Sequence, residues 1–137
     1  MKQGIKKWFP DELRGKFIAK NQWAVIRDFR YNSPKYGLIT VPCGFCTDGA
    51  SIPSLLWGVI GSPWAGNYPE AAVIHDYTYF EKKFTRAECD KIFLEAMGIL
   101  GVSFLKRRLM YRALRIFGWL AWKNKAYKKE KSVRRAS

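Results

Sequence analysis

Twenty-five lysines and arginines run along this chain of 137 residues, yet none falls between Tyr36 and Glu81. Nine precede the gap, nine lie in residues 82–122 and seven in residues 123–137. The gap keeps its acids, Asp48, Glu70, Asp76 and Glu81. A fold built from this chain must therefore wrap a basic exterior around a neutral-to-acidic middle. The formal charge of +14 directs the exterior toward something negative: nucleic acid, an anionic membrane face or an acidic protein.

The chain is of ordinary single-domain size and can bury a core without staples. With 48% hydrophobic and 16% aromatic residues, it does not have the composition of a disordered polymer. No uninterrupted apolar run is long enough for a transmembrane segment, and the N-terminus MKQGIKKWFP lacks the apolar core of a secretory signal. The expectation from these features is a protein made in a cytoplasm. Three cysteines, Cys43, Cys46 and Cys89, do not make a disulfide framework.

The pattern predicts an α+β fold: an N-terminal antiparallel β-hairpin or small sheet, a long ordered loop, then three C-terminal helices. Residues 1–16 read as a weakly patterned lead-in. Trp23 to Tyr31 alternates apolar and polar residues and is rich in β-branched and aromatic types, as in a strand. Asn32-Ser33-Pro34-Lys35 is turn chemistry, and Tyr36 to Val41 forms the second strand. Residues 42–69 combine Gly, Pro and Ser with large apolar side chains, which marks an ordered loop rather than a linker. A short helix is expected near Ser54 to Val59.

The first long helix starts near Asn67, with Pro69 in its first turn. The second opens on the capping box Thr85-Arg86-Ala87-Glu88. The third begins at Ser103, with Val102, Leu105, Leu109, Ala113, Ile116 and Leu120 as the stripe expected to face the core. Residues 1–122 are read as one domain and residues 123–137 as a basic C-terminal tail, a helix end fraying into solvent.

Two motifs inside the base-free stretch carry chemistry. In Thr47-Asp48-Gly49-Ala50-Ser51-Ile52-Pro53, a carboxylate and a hydroxyl three residues apart can share one small site, and a tight turn with local hydrogen bonds explains the same letters. In Ile74-His75-Asp76-Tyr77-Thr78-Tyr79, the chain's sole histidine follows the apolar run Ala71-Ala72-Val73-Ile74. A buried His-Asp pair is costly without a partner or a task, and a core histidine bonded to backbone carbonyls is the competing reading. On the next helix Arg86 and Asp90 share a face at i, i+4. They form a surface ion pair, or else Asp90 turns inward to orient His75 while Arg86 neutralises Asp48 or Asp76.

TDGASIP, AAVIHDYTY, Arg86-Ala87-Glu88-Cys89-Asp90 and the KRRLMYRALRIFG stretch together resemble a domain-of-unknown-function family found mainly in bacteriophage and prophage genomes. The resemblance runs from about Trp23 to Gly118. It implies a shared fold and a viral or prophage origin, and it brings no established activity; the expected location is a host cytoplasm, with assembly into a virion left open. It also implies that the C-x-x-C pattern Cys43-Gly44-Phe45-Cys46 is incidental, because the family commonly carries other small or apolar residues there. A zinc site of these cysteines with Cys89 and His75 is the competing reading.

The expected function is that of a small virion-associated accessory protein, of tail, baseplate or head–tail junction, with a buried His/Asp site and other virion proteins as partners. The first alternative is a hydrolase acting on cell wall or nucleic acid, with Asp48, Ser51, His75, Asp76 and Asp90 as catalytic candidates. Thr47, Tyr79 and Arg86 are then the substrate-binding candidates. That enzyme either holds a divalent metal through His75, Asp48 and Asp76 or uses Ser51, His75 and an aspartate as nucleophile, base and orienter. The second alternative is a basic host-takeover protein that binds nucleic acid or an acidic partner. The basic tail, with Phe117, Trp119, Trp122 and Tyr127 interleaved nearby, suits nucleic acid or an anionic membrane surface.

Overall fold

In the computed structural model, residues 3–20, 22–47 and 68–136 are described, with the backbone alone from residue 125 onward. The expected TDGASIP turn beyond Thr47, the short helix near Ser54 and the start of the next helix at Asn67 lie outside them. The α+β order is as expected: strands first, helices after. A helical turn α1 (Gln3–Lys6) leads to β1 (Gly15–Ala19), β2 (Gln22–Val25), β3 (Phe29–Ser33), β4 (Gly37–Val41) and the short β5 (Cys46–Thr47). The helices α2 (Pro69–Glu81), α3 (Arg86–Ile99) and α4 (Phe104–Ala136) follow.

The strands form two antiparallel sheets rather than one hairpin. The stretch Trp23 to Tyr31, read as a single strand, breaks between Val25 and Phe29. At the break the Asp28 carboxylate accepts the Cys43 amide at 2.8 Å, which turns the chain where a ladder would otherwise continue. Its first half joins a sheet of order β1-β2-β5, with Trp23 opposite both Phe17 and Thr47. Its second half forms the β3-β4 hairpin in the register Phe29↔Val41, Tyr31↔Ile39, Ser33↔Gly37. Gly37, at φ 84°, takes the left-handed conformation that closes this turn.

The lead-in contributes more than its weak pattern promises. Phe9 is fully buried and stacks on Tyr31 with ring centroids 4.6 Å apart. Asp11 grips Arg30 through Nε at 2.9 Å, Nη2 at 2.8 Å and the backbone amide at 3.0 Å.

The inward residues of β3 and β4, Phe29, Tyr31, Ile39 and Val41, share one core cluster with Ile74, Ile92, Phe93 and Leu114 of the three helices. The sheet and helix layers are tied by a polar bridge, since Tyr31 Oη and Ser33 Oγ both donate to Glu95 Oε1 at 2.5 Å.

Local chemistry sets the helix ends. Pro69 opens α2, and Lys82 ends it in a left-handed conformation at φ 63°. The capping box on α3 is present in both directions: the Glu88 amide donates to Thr85 Oγ1 at 3.2 Å and the Thr85 amide to Glu88 Oε1 at 3.0 Å. Gly101, at φ 85°, turns the chain out of α3, and the Val102 amide returns to the Met97 carbonyl at 3.0 Å.

The expected core stripe of α4 is reversed. Val102 is buried, but Leu105, Leu109, Ile116 and Leu120 are 71%, 49%, 63% and 52% exposed. The face that packs inward carries Met110, Leu114, Gly118 and Ala121. Both sets recur at helical spacing on opposite sides of the helix, so periodicity alone does not choose between them. The choice falls to close approach. Gly118 lets α4 come within a side chain's reach of Tyr79 and Arg86, as Leu or Ile could not. The helix continues through Ala136.

Candidate functional site

One carboxylate joins the three long helices. Asp90 of α3 is 0% exposed and lies beneath α2 and α4. From α2, His75 and Tyr79 stand one helical turn apart and reach the same oxygen: His75 Nε2 lies 2.9 Å and Tyr79 Oη 2.5 Å from Asp90 Oδ1. With a carboxylate as the acceptor, Nε2 carries the hydrogen. From α4, Arg115 Nη1 donates to Asp90 Oδ2 at 2.7 Å. Arg86, one turn before Asp90, has its Nη1 at 3.6 Å from the same oxygen. It also donates to the carbonyls of Leu114 and Arg115 at 2.8 and 3.1 Å.

The surroundings are apolar and aromatic. His75, 1% exposed, packs against Tyr79 at 4.1 Å and Phe93 at 4.9 Å between ring centroids. Thr78 Oγ1 closes the helix behind it by donating to the His75 carbonyl at 2.9 Å. Trp122 meets the Tyr79 ring edge-on and supports Lys82, whose Nζ lies 3.2 Å from the indole centroid and donates to the Trp122 carbonyl at 2.7 Å.

Burial alone would drive Asp90 toward its neutral form. The hydrogen bond from His75, with those from Tyr79 and Arg115, outweighs it and holds the carboxyl below the ordinary aspartate range. Burial, reinforced by the bond to Asp90, pushes the Tyr79 phenol far above its usual value. The site is thus an ionised acid held by donors from all three helices.

The sequence candidates divide clearly. His75, Tyr79, Arg86 and Asp90 come together. Asp76 is equally buried but takes no part in the bonds described around Asp90. Thr47 is buried in β5 opposite Trp23, while Asp48 and Ser51 lie outside the described residues. Among the described residues, no three His, Cys, Asp or Glu side chains gather as a metal would require. Cys43 and Cys46 are exposed, Cys43 in a turn and Cys46 in β5, and Cys89 is buried beside Tyr79 and Ala121. Sequence reasoning missed Arg115 and Gly118. Arg115 looks like any base on a basic helix, but a glycine inside a long helical pattern is itself a signal of close packing.

A family model matches residues 23–114, and the chain belongs to that family, described as Protein of unknown function (DUF1353). Over 91 residues the chain is 38% identical to Uncharacterized protein y4jT of Sinorhizobium fredii (strain NBRC 101917 / NGR234), a match covering 66% of this chain and 27% of that protein. Over 72 residues it is 42% identical to Uncharacterized protein y4iH of the same organism, covering 53% of this chain and 30% of the relative. The chain thus spans less than a third of either relative. No solved structure matches.

Proposed function

We propose that this member of the family is a non-catalytic accessory component of a bacteriophage or prophage particle, its His/Asp cluster a lock that holds three helices in one arrangement. The observation that carries the non-catalytic reading is the closed shell of Asp90. Both oxygens of the fully buried carboxylate are engaged by protein donors of the described residues. Such a network around one carboxylate rigidifies a small domain, and loss of one member leaves the others buried without their partner. The particle assignment rests on the resemblance carried by TDGASIP and IHDY, and the basic exterior suits docking onto acidic neighbours.

The test is the protein content of purified particles from a strain that carries the gene. Recovery of the chain at a fixed ratio to a structural protein supports the assignment. Its absence from particles, with the protein present in the lysate, overturns it.

The hydrolase reading draws support from one observation, the orientation of His75 by a buried carboxylate, as a general base requires. A His75→Gln variant separates the two readings. In a lock it lowers stability and leaves any cell-wall or nuclease activity of the preparation unchanged. In an enzyme it abolishes turnover.

A further inference from the structure

Among the described residues, the outward face of α4 is exposed. Leu105, Leu109, Ile116 and Leu120 succeed one another along one side of the helix, with Trp119 beside them, and all are about half exposed or more. Arg108 and Arg112 sit within this ridge, and together with Phe104, Leu105 and Leu109 they line a shallow groove at its start. The opposite side of the same helix already packs on the core through Met110, Leu114 and Ala121. A contiguous apolar ridge of this length is uncommon on a monomer's surface and marks an interaction site.

Charge narrows the occupant. Over Phe104–Ala136 the sequence carries twelve lysines and arginines and a single acid, Glu130. A second copy of the chain, packed face to face by a two-fold axis, would set Arg108 and Arg112 against their own like charges. Nucleic acid would engage the bases but leave four aliphatic side chains facing a polyanion. An anionic lipid surface uses both features at once. Leucine and isoleucine sink into the headgroup–acyl boundary, arginines extend to the phosphates, and a tryptophan takes the interfacial level.

We propose that the outward ridge of α4 is a docking face for anionic membrane lipid, with the helix lying in the plane of the interface. No helix of the described residues is long and apolar enough to cross a membrane, and an in-plane helix needs no span. The proposal stands apart from the Asp90 lock, which lies on the other side of α4.

Co-sedimentation of the full chain with phosphatidylcholine vesicles, with and without phosphatidylglycerol, tests it. Binding is expected to the anionic vesicles and to weaken with salt. Leu109→Gln combined with Ile116→Gln keeps the net charge and removes apolar contact. It should cut partitioning about tenfold or more while the thermal unfolding midpoint, governed by the opposite face, stays in place. Arg108→Gln combined with Arg112→Gln should weaken binding and flatten its salt dependence. Binding that survives the Leu109 and Ile116 changes would assign the attraction to charge alone and overturn the proposal. Failure to bind anionic vesicles overturns it as well. Self-association or nucleic-acid binding that those two changes abolish, without vesicle binding, hands the ridge to a different partner.

Discussion

Gly118 of α4 faces the hydroxyl of Tyr79 so closely that a Cβ added at position 118 would lie 2.7 Å from Tyr79 Oη and 3.1 Å from Arg86 Nη1. Alanine ordinarily stabilises a helix interior over glycine by about 0.5–1 kcal/mol. Here the sign should invert. The phenol cannot retreat without giving up its bond to Asp90, so Gly118→Ala should cost about 1–3 kcal/mol. The next tyrosine atom, Cζ, would be 3.7 Å away, an ordinary contact. A Tyr79→Phe background should therefore return much of that loss, as read by denaturant unfolding of the four proteins in the cycle. Additive effects would show that the two residues do not meet.

Asp90→Asn should be the most damaging conservative change in the chain, at about 3–5 kcal/mol, because it leaves two guanidiniums without their buried anion. Its signature lies in the acid. A carboxyl held below its ordinary value near 3.8 contributes stability that is present above that pH and is lost as pH falls through the folded-state value. The native chain should accordingly lose stability more steeply than Asp90→Asn in the acid range below about pH 4. Parallel acid slopes for the two proteins would remove Asp90 from the acid transition.

How far the sequence reveals this arrangement depends on where each choice is made. Thr85 and Glu88 are local, three residues apart, and the helix start they set is readable without the rest of the fold. Asp90, His75 and Tyr79 are visible as candidates because charged and polar letters sit in apolar helical surroundings. Their meeting on one oxygen is a property of how α2 packs on α3. The inward face of α4 was not legible. Leu105, Leu109, Ile116 and Leu120 are the bulkier set, yet the inward face includes a glycine and an alanine, which admit Tyr79, Arg86 and Cys89 from α2 and α3. Likewise the break between Val25 and Phe29 depends on Asp28 capturing the amide of Cys43, a contact distant in sequence.

The alkaline limit should be set by buried phenols. Burial, and then Glu95 for Tyr31 and Asp90 for Tyr79, pushes both far above the ordinary tyrosine value of 10.0, and burial raises Tyr68 to about 12. A group whose folded-state pKa is raised contributes fully below the unfolded value, and that contribution is lost as pH climbs above it. Stability should thus decline from about pH 10 upward, with tyrosinate absorbance appearing together with unfolding. Tyr79→Phe should lower stability at neutral pH by about 1–2 kcal/mol yet show a shallower alkaline decline. Tyrosinate that forms in the folded protein near the ordinary pKa would contradict the burial of these hydroxyls.

Thiol chemistry gives an independent reading of the same packing. Cys43 and Cys46 are exposed, whereas Cys89 is buried beside Tyr79 and Ala121, and burial pushes its thiol up to about 11. Since the thiolate is the reactive form, an aromatic disulfide reagent at neutral pH should label two cysteines promptly and leave the third. Release of that third equivalent should follow the opening equilibrium of the α2–α3–α4 contact, and Gly118→Ala should speed it by the factor that its loss of stability adds to the open population. Prompt labelling of all three thiols in the native protein would mean that the helices do not close over Cys89.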